Sequence, residues 1–126
     1  MKILVVEPFR IHPYVKEIDG SLESMQKVVD GRIEAIYPFD DQVALICNEE
    51  GKINGLWPNR TIIYEDHITD TIAGTFFVAG LEEESFGSLT DKRIEFYKKV
   101  FSCLKVDVVA TNLANKDGGN YGENTD

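Results

Sequence analysis

Positive charge is what this chain has least of. It carries 13 Lys and Arg against 22 Asp and Glu, a formal net charge of −9. Gripping a phosphate backbone takes a positive field, so direct nucleic-acid binding is disfavoured, and so is docking on an anionic membrane. The acidic surplus reads first as solubility. A sharper reading is a DNA mimic that fills a basic cleft of another protein, but the acids are interleaved with Lys and Arg rather than laid out in stripes.

Cysteine and histidine are scarce too, with 2 of each. Cys47 and Cys103 both sit in apolar runs, and two reduced, buried thiols are expected. His12 and His67 fall in polar loops. With no CxxC, no His-Glu pair and no Gly-rich phosphate loop, neither a metal site, a bound cofactor nor an enzyme is expected. No apolar run has the length of a membrane span, and Met1–Glu7 is too short for a signal peptide, which places the protein in a cytoplasm. The formal sequon Asn59-Arg60-Thr61 is then a chance match.

What the chain does have is ordinary globular composition, 43% hydrophobic and 28% charged over 126 residues, enough for one domain with one core. Lys2–Glu7 reads as a strand closed by Pro8. Phe9–Pro13 is a loop, and Tyr14–Ile18 alternates as a half-buried strand. Asp19-Gly20-Ser21 is helix-start chemistry ahead of Leu22, Met25, Val28 and Val29 at helical spacing, and Asp30-Gly31 stops that helix with a left-handed Gly. Arg32–Tyr37 and Gln42–Cys47 form a meander across the turn Pro38–Asp41. Gly51 is the position in the next turn expected to need positive φ.

Thr61–Tyr64 is a short strand, Glu65–His67 a polar loop, and Thr71–Gly80 one central strand in which Gly74 marks a bulge or a close backbone approach. Ser88-Leu89-Thr90-Asp91 caps a second helix with stripe Ile94, Tyr97, Val100, Phe101 and Leu104, its last turns carrying Lys98 and Lys99. Val106–Thr111 reads as a last strand. The sum is an α+β fold: a small, mainly antiparallel sheet with two helices packed on one face. Residues 1–111 make a single domain, and the Asn/Gly/Asp-rich residues 112–126 a disordered tail.

The aperiodic stretch Asn48–Arg60 holds the candidate binding chemistry. Asn48, Asn54 and Asn59 offer amide donors and acceptors for base edges or a ribose. Trp57, or Tyr37 nearby, offers a ring for stacking. Arg60 offers a planar fork that matches a phosphate. The plainer reading folds Trp57 onto the core and pairs Arg60 with Asp40 or Glu50. Asp40-Asp41 suits a ribose or a cation, or is simply turn chemistry.

Three of these stretches carry a family resemblance. Ile33–Asp41, Val43–Lys52 with Asn54-Gly55-Leu56 and Asn59-Arg60, and then Ile72–Phe77 with Ser88–Asp91, resemble the domain of unknown function numbered 3846 from about residue 1 to about residue 104. Trp57 departs from the family pattern. The resemblance implies a mobile-element setting, in clostridial and bacillar bacteria and their phages and plasmids, where small proteins often counter host defences.

The resulting expectation is a non-enzymatic protein that sequesters a small nucleotide-derived immune signal through Tyr37, Asp40, Asp41, Asn48, Asn54, Trp57, Asn59, Arg60 and Thr75. Micromolar capture takes about −8 kcal/mol. A domain this small has little interior for a deep pocket, so a homo-oligomer sharing the site between subunits is expected. The alternatives are an inhibitor that binds a host defence protein through its acidic surface or Trp57, and an accessory protein without ligand.

Overall fold

A computed structural model of the chain describes residues 1–117, with Asp117 defined in its backbone only. The strands are β1 (Lys2–Val6), β2 (Tyr14–Glu17), β3 (Ile33–Ile36), β4 (Val43–Asn48), β5 (Pro58–Tyr64), β6 (His67–Ala73), β7 (Phe76–Leu81), β8 (Phe86–Gly87) and β9 (Lys105–Asp107). The helices are α1 (Leu22–Val29), α2 (Asp91–Val100) and α3 (Val108–Asp117). The main sheet runs β2-β1-β7-β4-β3, all antiparallel, with β8 added to the end of β7. A second sheet runs β6-β5-β9, in which β5 and β9 are parallel.

The α+β class is therefore as read from the sequence, but the helices are not on one face. Alternate residues of the central strands feed two separate cores. Ile3, Val5, Ala44, Ile46, Phe77 and Ala79 pack with Met25 and Val29 of α1. Leu4, Val6, Leu45, Phe76 and Val78 pack on the other side, with Ile94, Tyr97 and Phe101 of the α2 segment and Ile62 and Ile72 of the second sheet. The uninterrupted apolar runs of β1, β4 and β7 carry the reason: a strand with no polar alternation has both faces out of water. Truncating Phe76 or Phe77, each fully buried, would cost about 3–5 kcal/mol.

Both expected helix starts hold. Ser21 accepts from the Ser24 N–H, and Thr90 from the Arg93 N–H, each satisfying an orphan donor of the first turn. The stop of α1 differs. Asp30, not Gly31, takes the left-handed conformation at φ 60°. Gly31 leaves room for the Asn48 amide, which a Cβ there would meet at 2.5 Å. The same reassignment holds in the turn after β4. Gly55 carries the positive φ of 74°, while Gly51 lies against the Ala73 carbonyl, 2.8 Å from where its Cβ would stand.

Thr71–Gly80 is not one strand. At Gly74, φ 81°, the chain leaves the second sheet and enters the main one, so β6 and β7 belong to different sheets. A Cβ at Gly74 would lie 2.6 Å from Leu56 Cδ1, the close approach read from the sequence. Glu65 and Asp66, both at positive φ, form the two-residue turn between Tyr64 and His67, a hairpin geometry whose twist matches the flanking strands.

The C-terminal reading is corrected most. Only Lys105–Asp107 is strand, and Val108–Asp117 is helix α3, where a strand end and the start of a disordered tail were expected. The Asp107 carboxylate accepts from the Ala110 N–H and so caps it. The rest of the expected tail, residues 118–126, lies outside the described residues. Cys47 is buried as expected, but Cys103 is exposed, because α2 has ended and the chain has turned outward by that point.

Candidate functional site

Arg60 stands in β5, where simple alternation would bury every second residue. Instead Asn59 and Arg60 are both buried, because the pairing with β6 slips between Pro58 and Arg60. A bulge of this kind inserts a residue and turns consecutive side chains to one side. Arg60 is fully enclosed. Its Nε and Nη2 donate to the Phe101 carbonyl at 3.0 and 2.7 Å. Nη1 donates to Asn59 Oδ1 at 2.7 Å, and Nη2 also reaches the Arg10 and Ile11 carbonyls. Phe101 is the C-cap of α2, so the guanidinium sits at the negative end of a helix dipole. Burial pushes its pKa down, but a guanidinium starts so high that it stays charged.

This overturns Arg60 as a phosphate fork, and equally its expected pairing with Asp40 or Glu50. The residue is a clamp between the β1–β2 loop and the end of α2. Asn59 is likewise spent inside, donating from Nδ2 to the carbonyls of Val6 and Gly74. Asn48 is buried and donates to the last carbonyls of α1, Val29 and Asp30, while its Oδ1 accepts from the Glu50 N–H. Thr75 is half-buried in the link between β6 and β7. These amides are structural because a buried carbonyl without a partner is costly.

Asn54, Tyr37 and Trp57 are exposed. They do not gather around a common ligand site with Arg60. Trp57 does not fold back onto the core either. It is 66% exposed and meets Phe9, itself 81% exposed, edge to face at 5.3 Å between ring centres. Phe9 holds φ 65°, a conformation that costs a bulky residue about 1 kcal/mol or more. The loop that strains it is the one Arg60 fixes through Arg10 and Ile11.

Asp40 and Asp41 are the two sequence candidates that the fold brings to one cavity. It measures about 350 Å³ and is lined also by Tyr64, Asn112, Asn115 and Lys116. Asp41 is the inner wall. Its carboxylate accepts from Arg93 at 2.8 Å and from the Tyr97 hydroxyl at 2.7 Å, with both charged side chains largely buried. Asp40 is exposed, and its N–H donates to Asn112 Oδ1 at 3.0 Å, which ties the turn to α3. With Asp41 matched by Arg93 and Asn115 buried, the lining presents the Asp40 carboxylate, the Asn112 amide, the Lys116 ammonium and the Tyr64 ring beside Val109 and Leu113.

Sequence reading missed Tyr64, Arg93, Asn112, Asn115 and Lys116. The signal was available in α3: Val109, Asn112, Leu113 and Lys116 recur at helical spacing behind a capping Asp107. The Asn- and Gly-rich composition that follows obscured it.

Among the described residues no group of His, Cys, Asp and Glu could hold a metal ion, and no helix is long and apolar enough to cross a membrane. No curated protein and no solved structure matches the chain. A family model matches residues 1–102, a span that covers the main sheet, α1, α2 and Asp40-Asp41 and ends before β9 and α3. The chain belongs to the family described as Domain of unknown function (DUF3846).

Proposed function

We propose that this protein is a non-enzymatic binding protein that captures a small nucleotide-derived ligand in the cleft between Asp40-Asp41 and α3. In the mobile-element setting that the family resemblance implies, its task is to withhold an immune signal from a host defence system in the cytoplasm. The observation that carries the reading is the convergence of Asp40, Asn112, Asn115, Lys116 and Tyr64 on one cavity of about 350 Å³, within the size range of small-molecule sites. A carboxylate suits ribose hydroxyls, amides suit base edges, a phenol ring suits stacking, and one ammonium suits one phosphate.

Calorimetry with nucleosides, mononucleotides and cyclic nucleotides tests this. Binding near micromolar, about −8 kcal/mol, is expected, with the ligand recovered unchanged after heat release. Lys116→Ala should weaken capture of a phosphorylated ligand by about 1.5–3 kcal/mol, the scale of a hydrogen bond to a charged group. No binding at millimolar ligand, or a chemically altered product, would reject it.

A second reading is favoured by the strained, exposed Phe9 against the exposed Trp57. Such an aromatic pair is hot-spot chemistry for a protein contact, with a host defence protein or with another copy of this chain. Trp57 is the single tryptophan, so its emission reports the contact directly. A blue shift that grows with protein concentration marks a homo-oligomer through this face. A shift only on adding a partner marks a heterologous contact, and constant emission in both cases removes the face from consideration.

A further inference from the structure

A groove of about 370 Å³ lies between α2 and α3, over β9. One wall is Phe96, Lys99 and Val100 of α2 with Cys103 just beyond that helix; the other is Asp107 at the end of β9 with Ala110, Thr111 and Ala114 of α3. Phe96, Lys99 and Val100, and likewise Ala110, Thr111 and Ala114, stand at helical spacing, so α2 and α3 turn one stripe each toward a common trough. The lining is mostly apolar or small, and Phe96 and Val100 continue into the buried core below. The other side of α3, through Val109, Asn112, Leu113 and Lys116, lines the Asp40 cleft. The two cavities are separate, and this inference does not rest on the proposed ligand site.

The charge of the rim is opposite to that of the molecule. The chain carries −9, yet Lys99 and Lys105 stand exposed at this groove. Lys99 also belongs to the adjoining cavity with Lys98 and His12. The one carboxylate present, Asp107, is engaged as the cap of α3. A cationic rim over an apolar floor repels a basic segment and attracts an acidic one. Two helical stripes flanking a trough leave the space that a third helix fills by seating its side chains between theirs.

We propose that this groove docks an acidic amphipathic helix of a protein partner, its apolar side on Phe96, Val100 and Val106 and its carboxylates on Lys99 and Lys105.

Cys103 makes the test direct, because it is exposed within the groove while Cys47 is buried. Burial first, and then the Glu34 and Asp70 carboxylates, push the Cys47 thiol up to about 11, so alkylation near neutral pH reads Cys103. The probes are two synthetic peptides of about four helical turns with leucines at i, i+3, i+4 and i+7. One carries glutamate at the remaining positions and the other lysine. The glutamate peptide should slow Cys103 alkylation by roughly tenfold, with the protection fading at about 0.5 M salt. Lys99→Glu combined with Lys105→Glu, both at exposed positions, should abolish it. Equal protection by the lysine peptide, no protection by the glutamate peptide, or protection that survives the double charge reversal each overturns the proposal. Protection by decanoate but by neither peptide overturns it in favour of a lipid-like occupant.

Discussion

Arg60 and Phe101 are joined by two hydrogen bonds, Nε and Nη2 on one carbonyl at 3.0 and 2.7 Å. The residue that most resembled a ligand-binding arginine is thus the tie between the second sheet and the end of α2. Nη2 extends the same tie to the loop that displays Phe9. Arg60→Met would leave the Phe101 carbonyl and Asn59 Oδ1 buried without these donors. At about 1–3 kcal/mol for each unsatisfied group, the expected loss is about 3 kcal/mol by urea unfolding. Arg60→Lys keeps charge but not the fork, and should recover less than half. A variant as stable as the parent would show that the clamp carries little.

Asp41 is a second tie to α2, at Arg93 and Tyr97. Arg93 and Tyr97 both donate to it, and its side chain is 4% exposed. Asp41→Ala would leave a largely buried guanidinium without this partner, a change that costs about 3–5 kcal/mol when a buried pair is broken. Chemical denaturation checks the magnitude. Asp40→Ala, at an exposed position, should stay within about 0.5 kcal/mol of the parent; its effect belongs to ligand capture, and equal destabilisation by both variants would contradict the assignment.

The Tyr14 phenol donates to the Glu7 carboxylate. Burial first, and then that carboxylate, push its pKa from 10.0 up to about 12. The folded protein therefore holds this proton more tightly than the unfolded chain does. The stabilising contribution is fully present below pH 10 and is lost as the pH rises through about 12. Tyrosinate absorbance of the native protein compared with a Tyr14→Phe variant should assign a late ionisation, near 12, to Tyr14. Glu7→Gln should move it back toward 10 only in part, since burial is the larger cause. A native titration with every tyrosine near 10 would remove the effect.

Gly74→Ala addresses the crossing between the sheets. The flexible tip of Leu56 can move aside, but φ 81° remains, and an L side chain there costs about 1–2 kcal/mol. The double variant with Leu56→Ala should therefore be no more stable than the sum of its parts. Thermal unfolding of the single variants and the pair decides between backbone strain and steric contact.

The sequence by itself determined the class of the fold and most of its elements. The caps at Ser21 and Thr90 and the strands at Lys2–Val6 and Val43–Asn48 are local consequences of residue chemistry. It also held a clue to the two-faced sheet, in runs with no polar alternation. What only the tertiary structure decided is where each polar side chain spends its hydrogen bonds. Asn48, Asn59 and Arg60 look identical in sequence whether they meet a ligand or a stranded carbonyl. The end of α1 claimed Asn48, and a bulge at Asn59 with a helix ending at Phe101, 41 residues from Arg60 in the chain, turned the other two inward. The same holds for the cleft: Asp40 and Asn112 meet across 72 residues, and no local pattern encodes a contact that forms only once the core has closed.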